Sequence, residues 1–235
     1  MPTNNKPLIG VIGAMKPEID ALKAKLCDTS VTVISGVEFV RGTLDGVEVI
    51  AAVCGIGKVF AALCAQTLIL TFHPDLVVNI GVAGSTSPDL NIGDIAVADS
   101  VVQHDMDTSP LGDPLGLISG INIINFPCAA PYVTLFENAC DELGLHSQTG
   151  VIASGDCFVH SSAKKAFLQE NFNAIACEME GGAIGHVCYV NGTPFCVIRA
   201  MSDNGDESSD RDYTDSLQRA SDAALDVMFA FLRKI

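Results

Sequence analysis

No apolar run in this 235-residue chain approaches the ~20 residues needed to cross a bilayer, although 49% of the residues are apolar. Charges or glycines interrupt every candidate, so a soluble protein is expected. The opening residues, Met1 to Pro7, are polar with one lysine and lead directly into an apolar strand, without the apolar core and small-residue cleavage site of a secretory signal. A cytoplasmic location is expected. The nine cysteines are scattered, odd in number and never spaced as Cys-x-x-Cys, and Cys54 and Cys196 sit inside apolar runs where a thiol acts as a small core hydrophobe. Reduced buried thiols fit this usage better than disulfides or zinc. The five histidines are equally dispersed, so no metal and no cofactor are expected.

Basic residues are scarce, 13 against 28 acidic ones for a formal charge of −15, and they form no cluster. A field of that sign repels phosphate backbones and anionic lipid, which disfavours nucleic acid and membrane surfaces as partners. It also serves solubility whatever the protein binds. Neither Gly55-Ile56-Gly57 nor Gly81-Val82-Ala83-Gly84 completes the Gly-x-Gly-x-x-Gly of a dinucleotide site, and no Walker loop is present.

What is there alternates. The length fits one domain over residues 1–235. A buried strand is predicted over 8–13 and a helix over 17–26, followed by a hairpin of strands 31–43 and 47–54 around Asp45-Gly46. A helix over 59–71 and a strand over 75–80 follow, then strands over 95–98 and 149–153. Between these last two, residues 105–131 are rich in Pro, Gly, Ser and Asn and read as a long irregular loop, a candidate lid or subunit contact. A helix over 161–170, a strand over 175–178, a helix over 181–189, a strand over 194–200 and a helix over 215–234 complete the chain. The fold class is α/β, a mixed central sheet flanked by helices.

In such sheets ligands bind beyond the carboxyl ends of strands. Glu18, the pair Glu178 and Glu180, and Asp203 with Arg199 and Ser202 all follow apolar strands. Singly, each has a structural explanation. Glu18 favours the macrodipole in the first turn of its helix, Asp203 can start a turn, Arg199 can be an ion-pair partner, and the small residues 81–84 can let a helix pack closely.

Together, Ile12-Gly13-Ala14-Met15 with Glu18, Gly55-Ile56-Gly57-Lys58, Gly81-Val82-Ala83-Gly84, Ser154-Gly155-Asp156-Cys157-Phe158, Glu178-Met179-Glu180 and Arg199-Ala200-Met201-Ser202-Asp203 resemble the 5′-methylthioadenosine/S-adenosylhomocysteine nucleosidases. The resemblance runs from residue 8 to the C-terminal helix. It implies a nucleoside phosphorylase-like fold, a homodimer, and hydrolysis of an adenine nucleoside by water. By position it implies Glu18 as the water-activating base and Asp203 as the acid that protonates the purine. Glu180 matches the residue holding the ribose hydroxyls, with Met179 against the sugar. Phe158 is expected to stack on adenine and Val159 to read its edge through backbone groups. Gly84, Glu178 and Ser202 are expected in the nucleoside pocket, Arg199 beside Glu18 or the water, and Met15, Ile56 and Tyr213 around the sugar and 5′ group.

The chemistry calls for these types. An acid must protonate or hydrogen-bond adenine as the glycosidic bond stretches, and a base must deprotonate water on the other side of C1′. A third carboxylate can bind the ribose diol and sit beside the developing cation. The chain departs from the pattern at Val82, where many relatives carry serine, and in residues 104–114, which lack aromatics for the 5′ group. Three other readings stay open: a purine nucleoside phosphorylase, a futalosine or 5′-deoxyadenosine hydrolase, and a non-catalytic nucleoside binder. A carboxylate at Glu18, where phosphorylases need cations, suits water over phosphate.

Overall fold

A computed structural model describes residues 7–235; the polar opening read over residues 1–6 lies outside the described residues. Strand β1 (Leu8–Gly13) leads into α1 (Lys16–Lys25), and β2 (Cys27–Ile34), β3 (Val37–Leu44) and β4 (Val47–Val53) form an antiparallel meander. The meander corrects the sequence reading. The single strand expected over 31–43 breaks at Ser35-Gly36, whose φ of 52° and 79° make a tight hairpin like the one at Asp45-Gly46. Ser-Gly was a turn signal hidden by apolar residues on both sides.

Helix α2 (Lys58–Phe72) is followed by β5 (Leu76–Ser85) and β6 (Ile95–Gln103). The stretch 105–131 is less irregular than expected: it holds a short 3-10 turn at Ser109–Leu111 and strand β7 (Asn125–Pro127), which pairs with β6, and its last two residues start a helix. That helix, α3 (Ala130–Leu143), was not anticipated, though Val133, Phe136 and Cys140 bury one stripe at helical spacing. The chain continues through β8 (Ser147–Ser154), α4 (Ser162–Phe172), β9 (Ala174–Glu178), α5 (Gly181–Asn191), β10 (Phe195–Asp203) and α6 (Ser209–Leu232).

The ten strands form one mixed sheet, and β5 is its branch point. Its first half runs parallel to both β1 and β10, and its end turns antiparallel onto β9 at Gly84 and Ser85. The path β5-β10-β6-β8-β9 therefore closes on itself, while β1, β4, β3 and β2 extend outward. Strands β5 and β10 outrun their expected ends at Ile80 and Ala200 because each continues the other's ladder, Ala200 opposite Val82 and Met201 opposite Ala83. Cross-strand pairing overrides the poor strand propensity of the glycines. The sheet core is aliphatic. Helix α6 covers β5 and β10 between α1 and α3, with Phe136 stacked on Phe231 at 4.0 Å between centroids, and α2 packs on α5. Helix α6 starts six residues earlier than expected, since its first two turns carry no apolar stripe; Asp206 accepts from Ser208 N at 2.9 Å instead. Among the described residues no helix is long and apolar enough to cross a membrane.

Candidate active site

A cavity of about 270 Å3 opens at the carboxyl ends of β1, β5 and β10 and at the turn after β9. Met15, Glu18, Ile56, Gly84, Phe158, Glu178, Met179, Glu180, Ser202, Asp203 and Tyr213 all line it, together with Ala14, Val82, Ala83 and Cys177. Motifs spread over nearly 200 positions thus converge because β5 is flanked by β1 and β10. Two expected residues stand apart from this wall. Val159 is buried in a small recess shared with Cys157, Phe158 and Asp203, and Arg199 lies underneath the cavity floor.

Glu18 is 3% exposed and is held by backbone donors: Met15 N to Oε2 at 2.8 Å and Val82 N to Oε1 at 3.1 Å. Burial, the largest influence, raises its pKa, while Arg199 and the N–H groups of Met15, Val82 and Ala14 partly oppose the rise. The result is a carboxylate of increased basicity in a fixed rotamer. A Cβ at Gly81 would stand 2.5 Å from Glu18 Oε1 and 2.8 Å from Arg199 Nη1, so only glycine permits both groups there.

Asp203 is 2% exposed and accepts from Gly205 N at 3.0 Å. A Cβ at Gly84 would meet its Oδ1 at 2.8 Å, which explains a second glycine. Ser202 Oγ lies 2.9 Å from Asp203 Oδ2 and 3.2 Å from Ala83 O. One hydroxyl hydrogen cannot serve both. Ser202 donates either to an ionised Asp203 or to Ala83 O while accepting from a protonated Asp203, so both protonation states find partners.

Glu178 and Glu180 differ sharply. Glu178 accepts from Arg199 Nη2, Ser154 Oγ, Glu180 N at 2.9 Å and Gly181 N at 2.8 Å. Burial opposes its ionisation, but Arg199, Ser154 and the N–H donors together outweigh it and hold the carboxyl below its usual range. Its oxygens are fully engaged by protein donors. Glu180 accepts from Gly57 N at 2.7 Å and stands 3.7 Å from Arg199 Nη2. Burial first, and Glu178 second, raise its pKa to about 7. Glu180 Oε2 is therefore the oxygen of this pair left for a ligand.

The mouth is aromatic and sulfur-lined: Phe158 meets Tyr213 edge-on at 5.7 Å, and Tyr213 OH donates to Met15 Sδ at 3.3 Å. Three loops around it are stapled by Lys58, whose Nζ pairs with Asp105 at 2.6 Å and whose N–H donates to Asp156 at 2.8 Å; Asp156 N donates to Asp105 at 2.9 Å. No residue from Met106 to Ala129 lines the cavity within one chain. Sequence reasoning missed Ser154, Cys177 and Asn79. Ser154 opened the motif 154–158 but was given no role, Cys177 carried no motif signal, and Asn79, a lone amide inside Leu76-Val77-Val78-Asn79-Ile80, was visible as a polar interruption of a buried strand.

The family model for the phosphorylase superfamily matches residues 8–233. A protein of Shewanella halifaxensis named 5′-methylthioadenosine/S-adenosylhomocysteine nucleosidase is 37% identical over 229 residues, covering 97% of this chain and 99% of its own. The structure of the Neisseria meningitidis enzyme of that name, in complex with methylthio-immucillin-A, superposes with a TM-score of 0.94 at 30% identity, covering 97% of this chain and all of the other. A futalosine hydrolase of Helicobacter pylori matches with a TM-score of 0.93 at 36% identity over 97% of this chain and 98% of its own. Likeness along the whole length, together with the convergence of every motif on one cavity, places the chain in the 5′-methylthioadenosine/S-adenosylhomocysteine nucleosidase family of the phosphorylase superfamily.

Proposed function

We propose that this N-glycosyl hydrolase splits 5′-methylthioadenosine and S-adenosylhomocysteine into adenine and the 5′-thioribose product, with Glu18 as base, Asp203 as acid and Glu180 as the ribose ligand. The observation that carries the reading is the charge of the cavity wall. Among the described residues it holds four carboxylates and no lysine, arginine or histidine, and Arg199 beneath it is engaged by Glu178. Such a wall repels phosphate and favours an oxocarbenium-like sugar. In the reaction the C1′–N9 bond breaks with its electron pair going to adenine, Asp203 supplies the proton that adenine takes up, water oxygen bonds to C1′, and Glu18 receives the proton that water loses. Phe158 offers a face to adenine, Glu180 accepts from the vicinal hydroxyls, and Met15, Ile56, Met179 and Tyr213 surround the sugar and 5′ group. Incubating the protein with each substrate and identifying products by chromatography tests this directly.

The Helicobacter pylori futalosine hydrolase gives a second substrate a specific basis. Hydrolysis of futalosine at a kcat/KM equal to or above that for methylthioadenosine selects it. A homodimer is supported by the exposed Val59, Phe60 and Leu63 of α2 and Tyr189 and Val190 of α5, apolar side chains on two packed helices that a second copy would cover. A cytoplasmic location is supported by nine free thiols.

A further inference from the structure

Asn79 lies fully buried at the centre of β5, opposite Ile12 of β1 and Val197 of β10, and both ends of its amide are used. Nδ2 donates to Ile12 O at 2.9 Å, and Oδ1 accepts from Arg199 Nη2 at 2.6 Å. The first bond fixes the second, because a carbonyl only accepts and so obliges the amide nitrogen to face it. Arg199 Nη2 has two hydrogens, one for Asn79 and one for Glu178. The guanidinium therefore meets Glu178 through one nitrogen, its Nε stays buried without a partner, and Nη1 projects over Gly81 toward Glu18. An unrestrained arginine beside a buried carboxylate would turn to the stronger two-nitrogen fork. That turn would draw Nη1 away from Glu18.

We propose that Asn79 is a positioning residue for the hydrolysis, holding the Arg199 guanidinium in a one-armed contact with Glu178 so that its other arm faces the base, Glu18. This rests on Glu18 being the base, as proposed above. The groups around Arg199 are Glu178 from β9, Glu180 from the turn before α5 and Glu18 from α1; Glu18 also faces Cys54 after β4 and Tyr213 of α6.

The test compares wild type with Asn79→Leu, which removes the amide at similar volume, and Asn79→Asp, which keeps the shape, gives up the donor to Ile12 O and adds a carboxylate against Arg199. Adenine release from methylthioadenosine is followed across pH, and adenine binding by calorimetry. Asn79→Leu is expected to lower kcat about tenfold or more while KM and adenine affinity stay within about threefold. Asn79→Asp is expected to move the acidic limb of kcat/KM upward by about one pH unit, as the added charge offsets the hold of Arg199 on Glu18. Wild-type kcat in the leucine variant with an unmoved limb in the aspartate variant overturns the proposal. So does a parallel loss of kcat, KM and adenine binding, or failure of both variants to fold, each of which assigns Asn79 to the core alone. If only the leucine variant fails to fold, the limb of the aspartate variant decides. A wild type that releases no adenine counts instead against the proposed function.

Discussion

Glu180→Gln is expected to make the protein more stable and less active, and the gain in stability should depend on pH. Glu180 has its pKa raised from 4.5 to about 7 by burial and by Glu178. At about 1.4 kcal/mol for each tenfold change in proton affinity, that rise corresponds to roughly 3 kcal/mol. The sign follows from linkage: the folded state binds the proton more tightly than the unfolded state, so the group's contribution to stability is complete below pH 4.5 and is lost as pH rises through about 7. Glutamine mimics the protonated form and can still accept from Gly57 N. The variant gives up the 3.7 Å attraction to Arg199, so a net gain of about 1–3 kcal/mol is expected at pH 8, and a Tm higher by about 3–8 °C. Calorimetric melting of both proteins from pH 5 to pH 8.5 reads this out, with the difference vanishing toward pH 5. A variant no more stable at pH 8, or equally stabilised at both ends, refutes the reasoning. Loss of the ribose contact proposed for Glu180 should lower kcat/KM in the same protein.

Glu18→Gln and Asp203→Asn are each expected to reduce turnover at least ~100-fold, the scale of losing a general base or acid, while circular dichroism shows the wild-type fold. Near-normal single-turnover rates in either variant remove the role assigned to that residue. The 5′ group should be weakly discriminated, because Leu111 is exposed and the loop around it contributes nothing to the cavity within one chain. A kcat/KM for methylthioadenosine about tenfold above that for adenosine, or less, is expected. An advantage of several hundredfold would reveal a tight thioalkyl site of another origin.

The sheet and its motifs were legible because buried strands such as 8–13 and 194–200 are apolar runs ended by glycine or charge. What stayed hidden was set by tertiary pairing. The ends of β5 and β10, Gly-Val-Ala-Gly-Ser over 81–85 and Met-Ser-Asp over 201–203, have no strand pattern and become strands only because each pairs with the other. The first turns of α6 are polar on every side, so Tyr213 gave no sign of lying inside a helix. At the site, the carboxylates could be found from their place after strands, but their different states could not. Glu178 and Glu180 are two residues apart, and only the fold puts Arg199 and Ser154 on one and Gly57 on the other. Alone, the glycines at 81 and 84 read as packing residues, and the family resemblance put Gly84 in the pocket; their function of making room for Glu18, Arg199 and Asp203 appears only in three dimensions.

The central claim is that water, and not phosphate, attacks C1′ at a site walled by carboxylates. Purified protein incubated with methylthioadenosine in phosphate-free buffer, and again with added phosphate, should give adenine and free 5-methylthioribose at the same rate in both. Formation of 5-methylthioribose 1-phosphate, or turnover that requires phosphate, would contradict it.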